Sequence, residues 1–138
     1  MGCETPRELY ERLRIAFVCH SNVNRSMEAH ALGMSAGYHC QSFGTGQKVR
    51  LPGLSQDSPN VFPFDSCTYE EMIRRLESQD KEGYTKSGLL NMLERDRSVK
   101  PFPQRWQEQK GHFDLIICFD QRVYDAVIEG LDEFLFRC

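Results

Sequence analysis

Leu13-Arg-Ile-Ala-Phe-Val-Cys-His-Ser-Asn-Val-Asn-Arg-Ser26 is the stretch on which the fold turns. Leu13 to Val18 is a short β-branched and aromatic run that ends at Cys19, and the turn formers Ser21, Asn22 and Asn24 follow it. From Arg25 or Ser26 onward, Met27, Ala29, Ala31, Leu32 and Met34 fall at helical spacing up to a stop signal at Gly37. The reading is strand, loop, helix. Tyr38 to Phe43 then alternates as a second strand, closed by Gly44-Thr45-Gly46.

Gln47 to Gly111 differs in texture. Pro52, Gly53, Pro59 and Pro63 predict a long loop, and Thr68 to Gln79 and Thr85 to Arg95 have helical spacing, as in an insertion over about 47–111 between strands. Phe113 to Phe119 is a continuous apolar run that suits a strand buried on both faces of a parallel sheet. Val123, Val127, Ile128 and Leu131 return to helical spacing. The order predicts one α/β layer domain over residues 1–138 with right-handed crossovers, and the carboxyl end of the first strand is the natural ligand position. Cys19 sits there.

The 138 residues are 40% hydrophobic and 27% charged, enough apolar material for a single core. With 17 Lys and Arg against 20 Asp and Glu, the net charge of -3 supplies no general cationic field for direct nucleic-acid or membrane binding, so an anion site must be local. No run reaches the roughly 20 apolar residues of a membrane helix, and the charged start does not suit a signal peptide, which predicts residence inside the cell. The six cysteines lack metal or CxxC spacing and read as reduced thiols. No cofactor or metal is expected.

Cys19 and Arg25 enclose five residues, and Ser26 follows. A phosphate dianion needs converging donors. A tight loop running into a helix N-terminus supplies backbone N–H groups and the positive end of the helix dipole, and one arginine can hold two phosphoryl oxygens. The same field favours thiolate at Cys19, so the pattern predicts a cysteine nucleophile in a loop formed by His20, Ser21, Asn22, Val23 and Asn24. Ser26 can donate its hydroxyl to the sulfur, Asn22 and Asn24 suit left-handed backbone, and His20 is a candidate for tuning the thiolate. Lys48 and Arg50 are candidates for guiding an acidic peptide. Cys40 and Cys118 read as core thiols, and His30, His39 and His112 as surface or packing residues.

The run Phe17-Val-Cys-His-Ser-Asn-Val-Asn-Arg-Ser-Met-Glu-Ala-His30 resembles the phosphatase family that removes phosphate from serine in the heptad-repeat tail of RNA polymerase II. The likeness continues through Ser42-Phe-Gly-Thr-Gly46, Val49-Arg-Leu-Pro-Gly53, Pro59-Asn-Val61, Tyr84-Thr85, Gly88, Met92-Leu93 and Arg122-Val-Tyr-Asp125. It implies a three-layer sandwich with a short parallel sheet, like low-molecular-weight tyrosine phosphatases, with a helical insertion. It also implies a phosphocysteine intermediate and a substrate phosphoserine at the fifth heptad position followed by a cis proline. Leu51, Pro52, Tyr84 and Met92 match groove positions. The implied partners are the phosphorylated tail and the scaffold of the RNA 3′-end processing machinery, with a nuclear and also a cytoplasmic location open.

In that family the general acid is an aspartate that follows a further strand, and no counterpart is found up to residue 138; the last strand and helix are also missing from the match. Asp120 and Asp132 are the nearby substitutes, read more readily as a helix cap and a solvated charge. Three functions follow as expectations: a phosphatase weak on phosphoserine, a phosphopeptide-binding module of low turnover, and a tyrosine phosphatase or arsenate reductase. The last fits the loop but not the inserted groove, and a reductase also needs a resolving cysteine pair.

Overall fold

The computed structural model describes residues 2–136, with the side chains of Tyr10 and of residues 132–136 outside that description. In chain order the elements are α1 (Pro6–Arg12), β1 (Arg14–Cys19), α2 (Arg25–Ser35), β2 (His39–Gly44), β3 (Val49–Ser55) and β4 (Ser58–Phe62). They continue with α3 (Tyr69–Lys86), α4 (Leu89–Val99), a 3-10 turn at Trp106–Glu108, β5 (Leu115–Cys118) and α5 (Gln121–Phe136).

β1 is central. It pairs in parallel with β2 from Arg14 opposite His39 to Cys19 opposite Gly44, and with β5 from Ile15 opposite Leu115 to Val18 opposite Cys118. Successive side chains of a strand face opposite ways, and both faces of β1 are covered. Ala16 and Val18 pack with Phe43, Trp106 and, from α5, Val123 and Val127. On the other face Phe17 lies beneath Gly33 of α2. Helix, sheet and helix give the three-layer α/β sandwich that the sequence predicts. Because the chain leaves β1 toward β2 on one side and later reaches β5 on the other, the carboxyl end of β1 is a topological switch point where a ligand cleft forms.

Two expectations need correction, and one helix goes unread in the sequence. The segment rich in Pro52, Gly53 and Pro59 is an antiparallel hairpin, β3 against β4, in place of a long loop. A two-stranded ribbon has free edges that accept proline, and the register breaks between Leu51 and Ser55, where Pro52 stands. The strand predicted as buried on both faces is shorter, Leu115–Cys118, with Leu115 45% exposed and its other residues half-buried. Among the described residues it pairs with β1 alone, so one edge carries no neighbour. The unread helix is α1, at the charged start: Thr5 Oγ1 accepts from the Glu8 amide and Glu8 Oε2 accepts from the Thr5 amide, a capping box with Pro6 in the first turn.

The predicted helix stop holds its place. Gly37 takes φ +86°, a left-handed value that glycine adopts without strain, and the Tyr38 amide donates to the Gly33 carbonyl. Between β2 and β5, the hairpin and helices α3 and α4 build a second core of their own, with Tyr69, Met72, Leu76 and Leu93 packed on Val49, Leu51 and Phe62. Met27 and Val23, from the β1–α2 junction, enter that same core, so these elements brace the loop after Cys19 from one side.

Candidate active site

β1 ends at Cys19 and α2 begins at Arg25, so the loop lies at the switch point. Cys19 is buried, and its Sγ receives the Asn22 amide at 3.2 Å and lies 3.0 Å from Ser26 Oγ. Asn22 is fully buried with φ +55°, the left-handed conformation that asparagine tolerates. Its Oδ1 accepts the Gln104 amide at 3.0 Å, which fixes the amide orientation and turns Nδ2 to Ser26 Oγ at 2.8 Å. The Asn22 amide thereby holds Ser26 Oγ beside the sulfur, where its hydroxyl can donate to a thiolate. Asn24, at the N-cap of α2, makes no side-chain capping bond, so the first-turn amides stay available to an anion.

The carbonyls of the loop are held from the far side. Tyr69 Oη donates to the Asn22 carbonyl at 2.7 Å, and Arg95 Nη2 donates to the carbonyls of Val23 and Asn24, both at 3.1 Å. Arg95 is paired through Nη2 and Nε with Asp96 Oδ1. Burial pushes the Asp96 carboxyl up against the pull of Arg95, and burial pushes the Lys100 ammonium down. Lys100 Nζ donates to the Ser42 carbonyl at 2.7 Å and to Gln104 Oε1 at 3.1 Å, and Asp96 is the first of the charges that favour its protonated form. β2 closes the other flank: the Thr45 and Gly46 amides donate to the carbonyls of Cys19 and His20, each at 3.0 Å. Gly44 has no room for a Cβ, which would stand 2.6 Å from the His20 carbonyl oxygen.

Arg25 does not stand free. Nη1 donates to the Phe119 carbonyl at 3.2 Å and Nη2 to Asp120 Oδ2 at 2.9 Å, which docks the guanidinium on the carboxyl end of β5. Asp120 Oδ1 also accepts the Val123 amide at the start of α5, and this bond, followed by that to Arg25, holds the carboxyl below the usual range. Asp120 is therefore a helix cap and the partner of Arg25, and it is ionised at neutral pH. The side chain of Asp132 lies outside the described residues.

His20 is exposed, its Nδ1 lying 3.2 Å from Ser21 Oγ and its ring beside Gly46. Ser21 Oγ also accepts the Arg50 amide at 3.4 Å. Leu51 and Tyr84 are buried, Met92 is half-buried on the same core, and Pro52 is exposed with its carbonyl bonded to Asn60. Tyr84 Oη donates to Gln79 Oε1 at 3.2 Å. Burial raises the thiols of Cys40, Cys118 and Cys67, the last to about 11. Among the described residues no group of three or more His, Cys, Asp or Glu is arranged to hold a metal ion.

Sequence reasoning missed Tyr69, Arg95, Asp96, Lys100 and Gln104. They lie far beyond Arg25 in the chain, on segments whose periodicity reports only their own helices. Asp120 was visible at the end of the β5 run, but nothing in the sequence paired it with Arg25.

The family described as Ssu72-like protein matches residues 13–134. The RNA polymerase II C-terminal domain phosphatase SSU72 of Xenopus laevis is 51% identical over 120 residues, which cover 87% of this chain and 61% of that protein. Its Homo sapiens counterpart is 50% identical with the same coverage. The chain thus spans about three fifths of the length of the curated relatives it matches. Among solved structures, the serine phosphatase of the RNA polymerase II CTD from Drosophila melanogaster superposes with a TM-score of 0.85 at 48% identity, covering 88% of this chain and 64% of that one. A D. melanogaster Ssu72 solved with Symplekin, bound to a cis peptidomimetic CTD peptide carrying phosphoserine, gives a TM-score of 0.84 at 46% identity, with 88% and 63% covered.

Proposed function

The chain belongs to the Ssu72-like family, and on that footing we propose that it is a cysteine-dependent phosphatase of phosphoserine in the heptad repeats of the RNA polymerase II C-terminal domain. The observation that carries the reading is the convergence on Cys19 Sγ of the Asn22 amide and the Ser26 hydroxyl, at a strand-to-helix joint that ends in Arg25. In this reading the thiolate attacks phosphorus, a phosphorus–sulfur bond forms, and the bond to the seryl oxygen breaks. Water then attacks the phosphocysteine, releasing inorganic phosphate and restoring the thiolate, with the Ser26 hydroxyl stabilising the departing sulfur. The loop amides and Arg25 hold the three peripheral oxygens.

The seryl oxygen departs as an alkoxide and needs a proton, whereas a nitrophenolate leaves without one. General-acid assistance is worth about 10²- to 10⁴-fold. Asp120, the carboxylate bonded to the loop arginine, carries no proton at neutral pH and is committed to Arg25 and the Val123 amide. Asp120 therefore cannot serve as the acid, and on this reading phosphoserine turns over more slowly than aryl phosphates. The same feature favours a second reading, a phosphopeptide-binding module that occupies phosphorylated tails with little turnover.

The groove would be walled by Pro52 and Met92 and backed by the buried Leu51 and Tyr84. Following the relatives, the partners are the phosphorylated C-terminal domain and the 3′-end processing scaffold to which Symplekin belongs, in the nucleus. Acid quenching of the chain with an aryl phosphate, followed by peptide mapping, tests the mechanism. A phosphocysteine at residue 19 supports it, and phosphate on any other side chain contradicts it.

A further inference from the structure

Three successive carbonyls of the loop, those of Asn22, Val23 and Asn24, are each bonded to a side chain from α3 or α4, and Arg95 takes two of them. The peptide bonds are trans, so a carbonyl fixed on one side points the next amide N–H to the other. Fixing Val23 and Asn24 in this way aims the amides of Asn24 and Arg25 away from Arg95. Those amides belong to the donor set of the anion loop.

Arg95 is itself aimed. Its Nη2 and Nε both meet Asp96 Oδ1, at 3.1 and 3.2 Å, and Asp96 is 0% exposed. The other oxygen, Oδ2, has no hydrogen-bond partner among the described residues. Stability gives no account of this arrangement, since burying a carboxylate with one oxygen unsatisfied is costly and an apolar pair of similar volume commonly does better. Nη2 alone reaches both carbonyls, and its hydrogens are held in the guanidinium plane by the Nε–Nη2 edge that grips Asp96, whereas a lysine ammonium has no such plane.

We propose that Arg95, locked by the buried carboxylate of Asp96, is a positioning residue that presets the amides of Asn24 and Arg25 for phosphate oxygens. The inference rests on the reading of the Cys19 loop as a phosphate site and adds that helix α4, remote from the reacting sulfur in sequence, sets the loop's affinity for the anion.

The test titrates inorganic phosphate into the wild-type chain, Arg95→Lys and the double variant Arg95→Ala/Asp96→Asn by calorimetry, with urea unfolding midpoints measured alongside. The double variant removes the carboxylate that Ala alone would leave without a partner. Phosphate affinity roughly tenfold weaker in Arg95→Lys, at a midpoint close to wild type, is the expected result, less than the loss of a whole oxyanion donor because the amides are misaimed and not removed. The double variant should bind at least as weakly. Undiminished phosphate affinity in folded Arg95→Lys overturns the role of Arg95 while leaving the phosphate site standing. A wild-type chain that takes up no phosphate overturns both, and is told apart by the wild-type titration alone.

Discussion

Arg25 and Asp120, 95 residues apart in sequence, are joined by a 2.9 Å ion pair that ties the start of α2 to the carboxyl end of β5. Both side chains keep about two fifths of their surface in water, 44% and 39%, so the pair contributes well under ~1 kcal/mol to stability. Its importance lies in position: together with the Phe119 carbonyl it fixes the guanidinium at the carboxyl end of β5.

Asp120→Asn retains an acceptor for the Val123 amide and removes the charge that orients Arg25. Phosphate release from an aryl ester should fall about threefold to tenfold in kcat/KM, the size of a weakened charge-assisted bond, while the unfolding midpoint moves little. Steady-state kinetics with a thermal melt checks this. A midpoint shift without a kinetic effect would place Asp120 in structure only. The carboxyl lies below its usual range, so its ionised form adds stability above the unfolded value of 3.8 that is lost as pH falls through the folded value.

Asn22 combines two demands, left-handed backbone and a buried side chain that bridges Ser26 and the Gln104 amide. Asn22→Gly meets the first and not the second, and Asn22→Ala meets neither. Losing the bridge should cost about 1–3 kcal/mol in both. Alanine adds about 1–2 kcal/mol for the left-handed residue. Urea unfolding of the two variants separates the contributions, and equal midpoints would mean that the backbone conformation carries no strain.

His30 is buried on α2, with Nδ1 2.8 Å from Ser42 Oγ, whose oxygen lies 3.1 Å from Met27 Sδ. Burial first, then the nearby Lys100, lowers its pKa from 6.5 to about 4. The fold keeps it neutral while the unfolded chain takes a proton below 6.5. Stability therefore falls as pH drops from 6.5 toward 4, by at most ~3 kcal/mol. His30→Asn keeps a donor to Ser42 and should flatten that part of the pH profile. Urea midpoints at a series of pH values check it, and an unchanged slope would assign the acid sensitivity to other groups.

The parts legible in the sequence are those whose signals are local. The run up to Cys19, the turn formers and Gly37 point to strand, loop and helix because each acts within a few residues, and the Cys19–Arg25–Ser26 spacing marks the loop itself. The hairpin over 49–62 is hidden because prolines that bar a central strand are admissible in a two-stranded ribbon. The Thr5-Pro6-Arg7-Glu8 capping box is present, but no apolar periodicity draws attention to it. What cannot be read is the support behind the loop. Tyr69, Arg95 and Gln104 act on the segment Asn22 to Asn24 mostly through backbone groups, and a contact with a carbonyl leaves no pattern in the residue that is contacted.

The most direct measurement is phosphate release by residues 1–138 from p-nitrophenyl phosphate and from a phosphoserine-proline heptad peptide, each beside a Cys19→Ser control. Release from the aryl ester, abolished in the control, is the predicted result, with release from the peptide lower by about 10²-fold or more because Asp120 holds no proton to give. Release that persists in Cys19→Ser would contradict the nucleophile, and equal, Cys19-dependent rates on both substrates would mean that a proton donor other than Asp120 serves the leaving oxygen.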